Sequence, residues 1–399
     1  LKQDKVIYTK IWNAISDMDK CLIRPLNKDE TTDKFRSRVQ NTLSKLSNYK
    51  EISKECKDIK NDDPNDEHVD NSSSIKNVKS NPKRPSVSFS TRSERSILNF
   101  TEFLLQVLWL QLSDEDRRNS TNFFNTYKLQ ETFKKHLKDN EVETFFNNLL
   151  KYRVIFDNFI VRINQSEQTD NSYFINFNNE KAESEINKQI IQYQSMLYVS
   201  TSSHLWLTKL LEYLLEKPNE VKAENFIGEI KHYDNERWKN KFDYSKLNYS
   251  SIDRYWFWRL DYYLWENRNM QFKDRSLEIA KEYLFKSNRS IEHIVPQTPQ
   301  TNSTIKLNET DLNCFGNLAM ISSSQNSSLQ NESFEIKRAH VESFIDQHKN
   351  GSIESLKMLH IYNYETKSFD ELKDPNEKVI AVLKDHEMKM FAVLENSFL

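Results

Sequence analysis

Glu292-His293-Ile294-Val295-Pro296, followed by Gly316-Asn317-Leu318 and then by Asn326, is the stretch of this chain whose residue types and spacing read as chemistry. Hydrolysis of a phosphodiester needs a water stripped of its proton, a cation on the leaving oxygen and a rigid frame for both. His293 is suited to be the base, because imidazole titrates near neutral pH. Glu292 offers a hard oxygen ligand of the kind Mg²⁺ (or Mn²⁺) takes, and Asn326 can add a second from a following helix or its lead-in. Two protein ligands leave room for water and a substrate phosphate. The amide of Asn317 can bond the backbone or ring of His293 and fix its orientation. Gly316 allows two strands to approach closely, and Pro296 stiffens the exit from the first of them.

The elements that must position these groups are legible nearby. Ile291–Val295 and Asn317–Ile321 are short strand candidates, separated by a loop rich in Thr, Asn and Gln. Ser322–Asn331 is polar and Phe334–Phe344 has helical spacing, so 286–350 reads as strand, loop, strand, helix. Lys337 and Arg338 fall on that helix just past the site, where a nucleic-acid backbone must be gripped.

The rest of the chain reads as a helical scaffold. Its 399 residues are enough for two or three domains with their own cores. Only three glycines occur, which excludes a P-loop together with a dinucleotide fingerprint, and also disfavours a turn-rich all-β fold. Residues 1–52 have amphipathic helical spacing, and 53–92 form a polar linker punctuated by Pro64, Pro82 and Pro85. Residues 93–285 read as one all-helical domain, with Ile97–Leu112 a buried helix, and 351–399 as a helical tail that starts a helix near Pro375 and packs on what precedes it. The aromatic stripe Tyr255, Trp258, Tyr262 and Trp265 could stack bases, but apolar Phe257, Leu260 and Leu264 on the other faces point to a buried helix. Lys79, Lys83, Arg84, Arg92 and Arg95 form a basic run whose default reading is a solvated linker.

Net charge is −2, so any nucleic-acid binding must come from local patches. Cys21, Cys56 and Cys314 are too scattered for a disulfide framework or a four-cysteine zinc site, which fits a reducing, cytoplasmic setting. Cys314 reads as a small buried side chain rather than a nucleophile. The most apolar run is interrupted by Asn99, Glu102 and Gln106, so no membrane span is expected.

The arrangement of Glu292, His293, Asn317 and Asn326 resembles the HNH, or ββα-metal, nucleases. The longer strings Ile291-Glu-His-Ile-Val-Pro-Gln297 and Phe315-Gly-Asn-Leu-Ala-Met-Ile321 through Asn331, then Phe334 and Lys337-Arg338, resemble the C-terminal nuclease module of GmrSD-type type IV restriction enzymes. The stretch around Phe103–Trp109 resembles the middle of the same proteins more loosely. That resemblance implies a mainly α chain: a helical domain, a small ββα-metal module and a helical tail. It implies that Glu292 binds metal, that His293 is the base, that Asn317 is the central Asn, and that Asn326 takes the last ligand position, with Asn331 competing for it. Many such sites carry Asp or His before the base and His at the end, where this chain has Glu and Asn.

Relatives of this kind also carry an N-terminal nucleotide-binding sensing domain with an Asp-Gly-Gln-Gln-Arg string, absent here. Together with the Leu1 start, this suggests a sensing domain upstream. The resulting expectation is the effector part of a bacterial anti-phage restriction system that cuts foreign or modified phage DNA. A single site per chain would nick, so double-strand breaks would call for a homo-oligomer or repeated attack. The alternatives are a silent helical binding and assembly module, or a nuclease that cleaves RNA.

Overall fold

Asn99 starts the first long helix: its side chain accepts from the Glu102 N–H at 2.9 Å and Glu102 returns a bond to the Asn99 N–H at 2.8 Å. A computed structural model describes residues 15–22, 94–165, 171–175, 185–201, 204–216, 222–298, 305–329, 331–346, 353–363 and 372–399, with positions 9, 12, 13, 37 and 41. The expected linker 53–92, most of the helices expected over 1–52, and Lys79, Lys83, Arg84 and Arg92 lie outside the described residues. The described chain is mainly helical and divides into two compact units, the second made of 234–399 with 195–201.

In the first unit, α1 (Phe100–Gln111) buries Phe103 through Leu108, as its apolar sequence requires, and packs with α2 (Val142–Phe159) and α3 (Leu205–Glu216). A small antiparallel sheet joins β1 (Glu94–Ser96), β2 (Arg162–Asn164) and β3 (Ser172–Phe174). The all-helical expectation for 93–285 is corrected here: strands of three residues are too short to show an alternating pattern in the sequence. Arg153 on α2 is wholly buried, pairs with Asp157 at 2.8 Å, and donates to the carbonyls of Asp17 at 2.9 Å and Lys20 at 2.5 Å. It thereby ties residues 15–22 to the helix, a buried charge with its donors occupied.

In the second unit, α4 (Tyr255–Glu266) has Tyr255 through Trp265 buried. The aromatic stripe is core, and no face is left to stack bases. β4 (Ser290–His293) pairs antiparallel with β5 (Leu318–Ile321), with Glu292 opposite Ala319 and His293 opposite Leu318. Between them lie α5 (Glu309–Asn313) and a 3₁₀ turn, Phe315–Asn317. After β5 come α6 (Ser323–Leu329), which packs on β4, then α7 (Phe334–Asp346), α8 (Leu356–Tyr362) and α9 (Pro375–Asn396). Asp374 caps α9 and Pro375 takes its first turn, as expected.

The unit boundary falls at 233/234 and not at 285, because α4 buries its aromatic faces against α8 and α9 from the far end of the chain. Among the described residues, no helix is long and apolar enough to cross a membrane.

Candidate active site

β4 ends at His293, and the chain leaves the strand under the control of Asn317. The Ile294 N–H donates to the Asn317 backbone carbonyl at 2.8 Å and the Val295 N–H to Asn317 Oδ1 at 2.7 Å. Asn317 Nδ2 donates in turn to the carbonyls of Val295, at 3.1 Å, and Leu312, at 2.8 Å. Asn317 is fully buried, and both ends of its amide are spent on backbone. It bonds neither the ring nor the backbone of His293. It fixes the two segments on either side of it.

Adjacent strand residues face opposite ways, and the two groups at the end of β4 have different neighbours. Glu292 faces Lys337, whose Nζ donates to Oε1 at 2.5 Å, and Tyr362, whose phenol it helps push up. His293 faces the inter-strand loop. Its Nε2 stands 3.3 Å from Asn313 Oδ1 and 3.3 Å from Gln297 Nε2, and the Tyr249 ring lies 4.5 Å from the imidazole centre. The Tyr249 N–H donates to the Asn313 carbonyl at 3.0 Å, which brings a segment from before α4 to the site. Nδ1 of His293 makes no hydrogen bond among the described residues and is not sealed from solvent.

Burial sets the electrostatics. It pushes the Glu292 carboxyl above its ordinary range, against the hydrogen bond and charge of Lys337. It pulls the His293 imidazole below its ordinary range; the Asn313 bond opposes that and the Lys337 charge adds to it. His293 is thereby kept neutral at neutral pH, the form a general base needs.

Lys337 departs from the expected phosphate contact. It is 1% exposed, and its ammonium is spent on Glu292 and on the His293 carbonyl at 2.8 Å. The reason is charge balance: Glu292 is buried and needs a cation, and Lys337 supplies it from α7. Arg338 is partly exposed and paired with Glu342 at 2.8 Å, one helical turn on. Asn326 sits on α6, half-buried, and its side chain bonds none of the other site residues among those described. Asn331 is exposed beyond α6. The polar stretch 322–331 thus contains a helix, in which the Ser327 hydroxyl bonds the Ser323 carbonyl at 2.9 Å and the Ser328 hydroxyl the Gln325 carbonyl at 2.8 Å. Gly316 also differs from expectation: the chain it lets approach is α9, not the opposite strand, since a Cβ there would lie 2.2 Å from the Leu383 carbonyl oxygen. Cys314 is half-buried, and burial pushes its thiol up to about 11, away from nucleophile chemistry.

Among the described residues no three His, Cys, Asp or Glu side chains come together in a cluster that could hold a metal ion. The donor set still suits a hard cation of the Mg²⁺ type, which keeps several waters and takes one or two carboxylates. Lys337 takes Glu292 Oε1, and Oε2 has no protein partner among the described residues.

Three members of this site escaped sequence reasoning. Asn313 lies four residues before Asn317 and Gln297 four residues after His293, spacings that carry a signal only once the strand ends are fixed. Tyr249 has no local signal. Residues 231–378 match the family model for GmrSD restriction endonucleases, C-terminal domain, a match that begins almost where the second unit does and includes every site residue named above. No curated protein and no solved structure matches the chain. Residues 231–378 are thus similar to the C-terminal domain of GmrSD restriction endonucleases.

Proposed function

We propose that this module hydrolyses DNA phosphodiesters by HNH-type chemistry, as the effector of a bacterial anti-phage restriction system directed at foreign or modified DNA. The observation that carries the reading is the end of β4: a neutral imidazole with one nitrogen held by amides and the other open, next to a carboxylate with an uncommitted oxygen.

His293 takes a proton from water, and the resulting hydroxide attacks phosphorus. The P–O bond on the far side breaks, and its oxygen takes a proton from solvent. Asn317 contributes rigidity by holding the strand exit and the loop together. Tyr249 shields one face of the imidazole. Glu292 and Asn326 are the residues that would hold Mg²⁺ or Mn²⁺; when bound, such an ion supplies charge stabilisation at the phosphate. Arg338, partly exposed on α7, is the nearer of the two expected phosphate contacts to solvent.

The test is incubation of the purified protein with supercoiled plasmid and, separately, with RNA, with and without Mg²⁺ or Mn²⁺. Metal-dependent nicking of plasmid by the wild type, lost in His293→Ala, is expected. Nicking retained in His293→Ala removes the base from this account, and cleavage of RNA alone replaces the substrate.

A further inference from the structure

Two amides meet one nitrogen of His293, and they ask opposite things of it. Asn313 presents an oxygen to Nε2 at 3.3 Å, which is satisfied only when Nε2 carries the proton. Gln297 presents an NH₂ to the same nitrogen at 3.3 Å, which is satisfied only when Nε2 carries a lone pair. A neutral imidazole has one proton to place, so the two contacts select different tautomers. In one, Nε2–H donates to Asn313 and Nδ1 keeps the lone pair. In the other, Nδ1 carries the proton and the only lone pair is tied to Gln297.

The rigidity of the two partners differs. Asn313 ends α5, and its own carbonyl accepts the Tyr249 N–H at 3.0 Å. The carbonyl just before it, on Leu312, accepts from Asn317 Nδ2 at 2.8 Å. Asn313 is therefore pinned on both sides, one of the pins being the central Asn of the motif. The Gln297 amide is carried on a side chain one methylene longer, beyond Pro296, on the loop leaving the strand.

We infer that Asn313 is the positioning residue for the base: it holds His293 as the Nε2–H tautomer, so that the open nitrogen, Nδ1, is the one that takes the proton from water. The inference rests on His293 being the base of the proposed reaction. Nδ1 gains the water proton, Nε2 keeps its own, and the imidazolium that forms donates from Nε2 to the Asn313 oxygen, a stronger bond once the ring is charged. Asn317 acts on the base at one remove, by fixing where Asn313 stands.

The test reads the tautomer directly. The full chain is labelled with ¹⁵N histidine, and long-range ¹⁵N–¹H correlations are recorded at mildly alkaline pH, with the His293 signals assigned by their loss in His293→Gln. The wild type and Asn313→Asp should both show Nε2–H. Asn313→Leu should shift the signals to Nδ1–H, with Gln297 as the new donor to Nε2, and should lower kcat for plasmid nicking by about 10–100-fold with KM little changed. In Asn313→Leu/Gln297→Leu, where both preferences are removed, a mixture of tautomers is expected. A wild-type protein that shows Nδ1–H overturns the inference, and so does an Asn313→Leu protein that keeps Nε2–H. Since the tautomer is read without turnover, an Nε2–H wild type that cuts nothing would overturn the nuclease reading and with it the role of Asn313 in catalysis, leaving only its hold on the tautomer.

Discussion

Lys337 and Glu292 form a buried ion pair at 2.5 Å, with side chains 1% and 6% exposed. Such a pair returns little net stability relative to apolar residues of the same size, but removing one partner strands the other charge out of water. Lys337→Met should therefore lower the unfolding free energy by about 3–5 kcal/mol, read as a shift of the denaturant midpoint at unchanged slope. Lys337→Met/Glu292→Gln should recover much of that loss, because no uncompensated charge remains. If the single and double variants were equally destabilised, the pair would be acting through packing. The side chain types at this position were legible in the sequence, whereas the partner was not. A lysine on a helix after the site reads equally as a phosphate grip or as a counter-ion, and only burial of Glu292 decides between them.

The strand–loop–strand frame was visible as elements, because Ile291–Val295 and Asn317–Ile321 are the apolar runs bracketing a polar loop. What the sequence concealed is what braces the frame. Gly316 stands in the 3₁₀ turn that carries Asn317, and α9 packs directly on that turn. The His386 Nδ1–H donates to the Gly316 carbonyl at 3.2 Å, and Phe391 stacks on Phe315 with ring centroids 5.8 Å apart. A glycine beside a strand signals close approach, but nothing local says from which direction, and the answer lies some seventy residues downstream. Likewise Ser322–Asn331 reads only as polar, because serine and asparagine compete for backbone bonds, yet residues Ser323–Leu329 form a helix with serine hydroxyls on its own carbonyls. Gly316→Ala would drive a Cβ to 2.2 Å from the Leu383 carbonyl oxygen and 3.0 Å from the Glu387 Cβ. Backbone cannot yield as a side-chain tip can, so α9 must move. The expected cost is about 1–3 kcal/mol, with faster amide hydrogen exchange in α9 as the marker; unchanged exchange there would show that the turn itself gives way.

Across the molecule, several imidazoles are buried in the neutral form, and their effects on stability add with one sign. His386 is fully buried and its imidazole is held well below the ordinary range, first by burial and then by the neighbouring Lys357 charge. Burial pulls His360, whose ring stacks 5.3 Å from that of His386, down to about 4, and burial alone does the same to His204. Each group binds its proton in the unfolded chain near pH 6.5; in the folded one His204 and His360 do so only near 4 and His386 only well below 6.5, so in that interval the unfolded state holds more protons. Stability from these groups is complete above about pH 6.5 and is lost as pH falls towards 4. Asp261 opposes them: burial raises its carboxyl to about 7, so the folded state holds its proton between the unfolded value of 3.8 and 7, and this group becomes more favourable on acidification. Glu102, Asp157 and Glu292 shift in the same direction as Asp261, and His136 and His293 in the same direction as the three rings, so five imidazoles against four carboxyls leave the net slope with the imidazoles. The unfolding midpoint should fall steadily from pH 6.5 to pH 4, and the fall should be shallower in His386→Gln, which removes one titrating ring while offering an amide to the Gly316 carbonyl. The measurement is denaturant unfolding followed by tryptophan fluorescence at half-unit steps. A midpoint that rises on acidification would mean that the buried carboxyls outweigh the histidines.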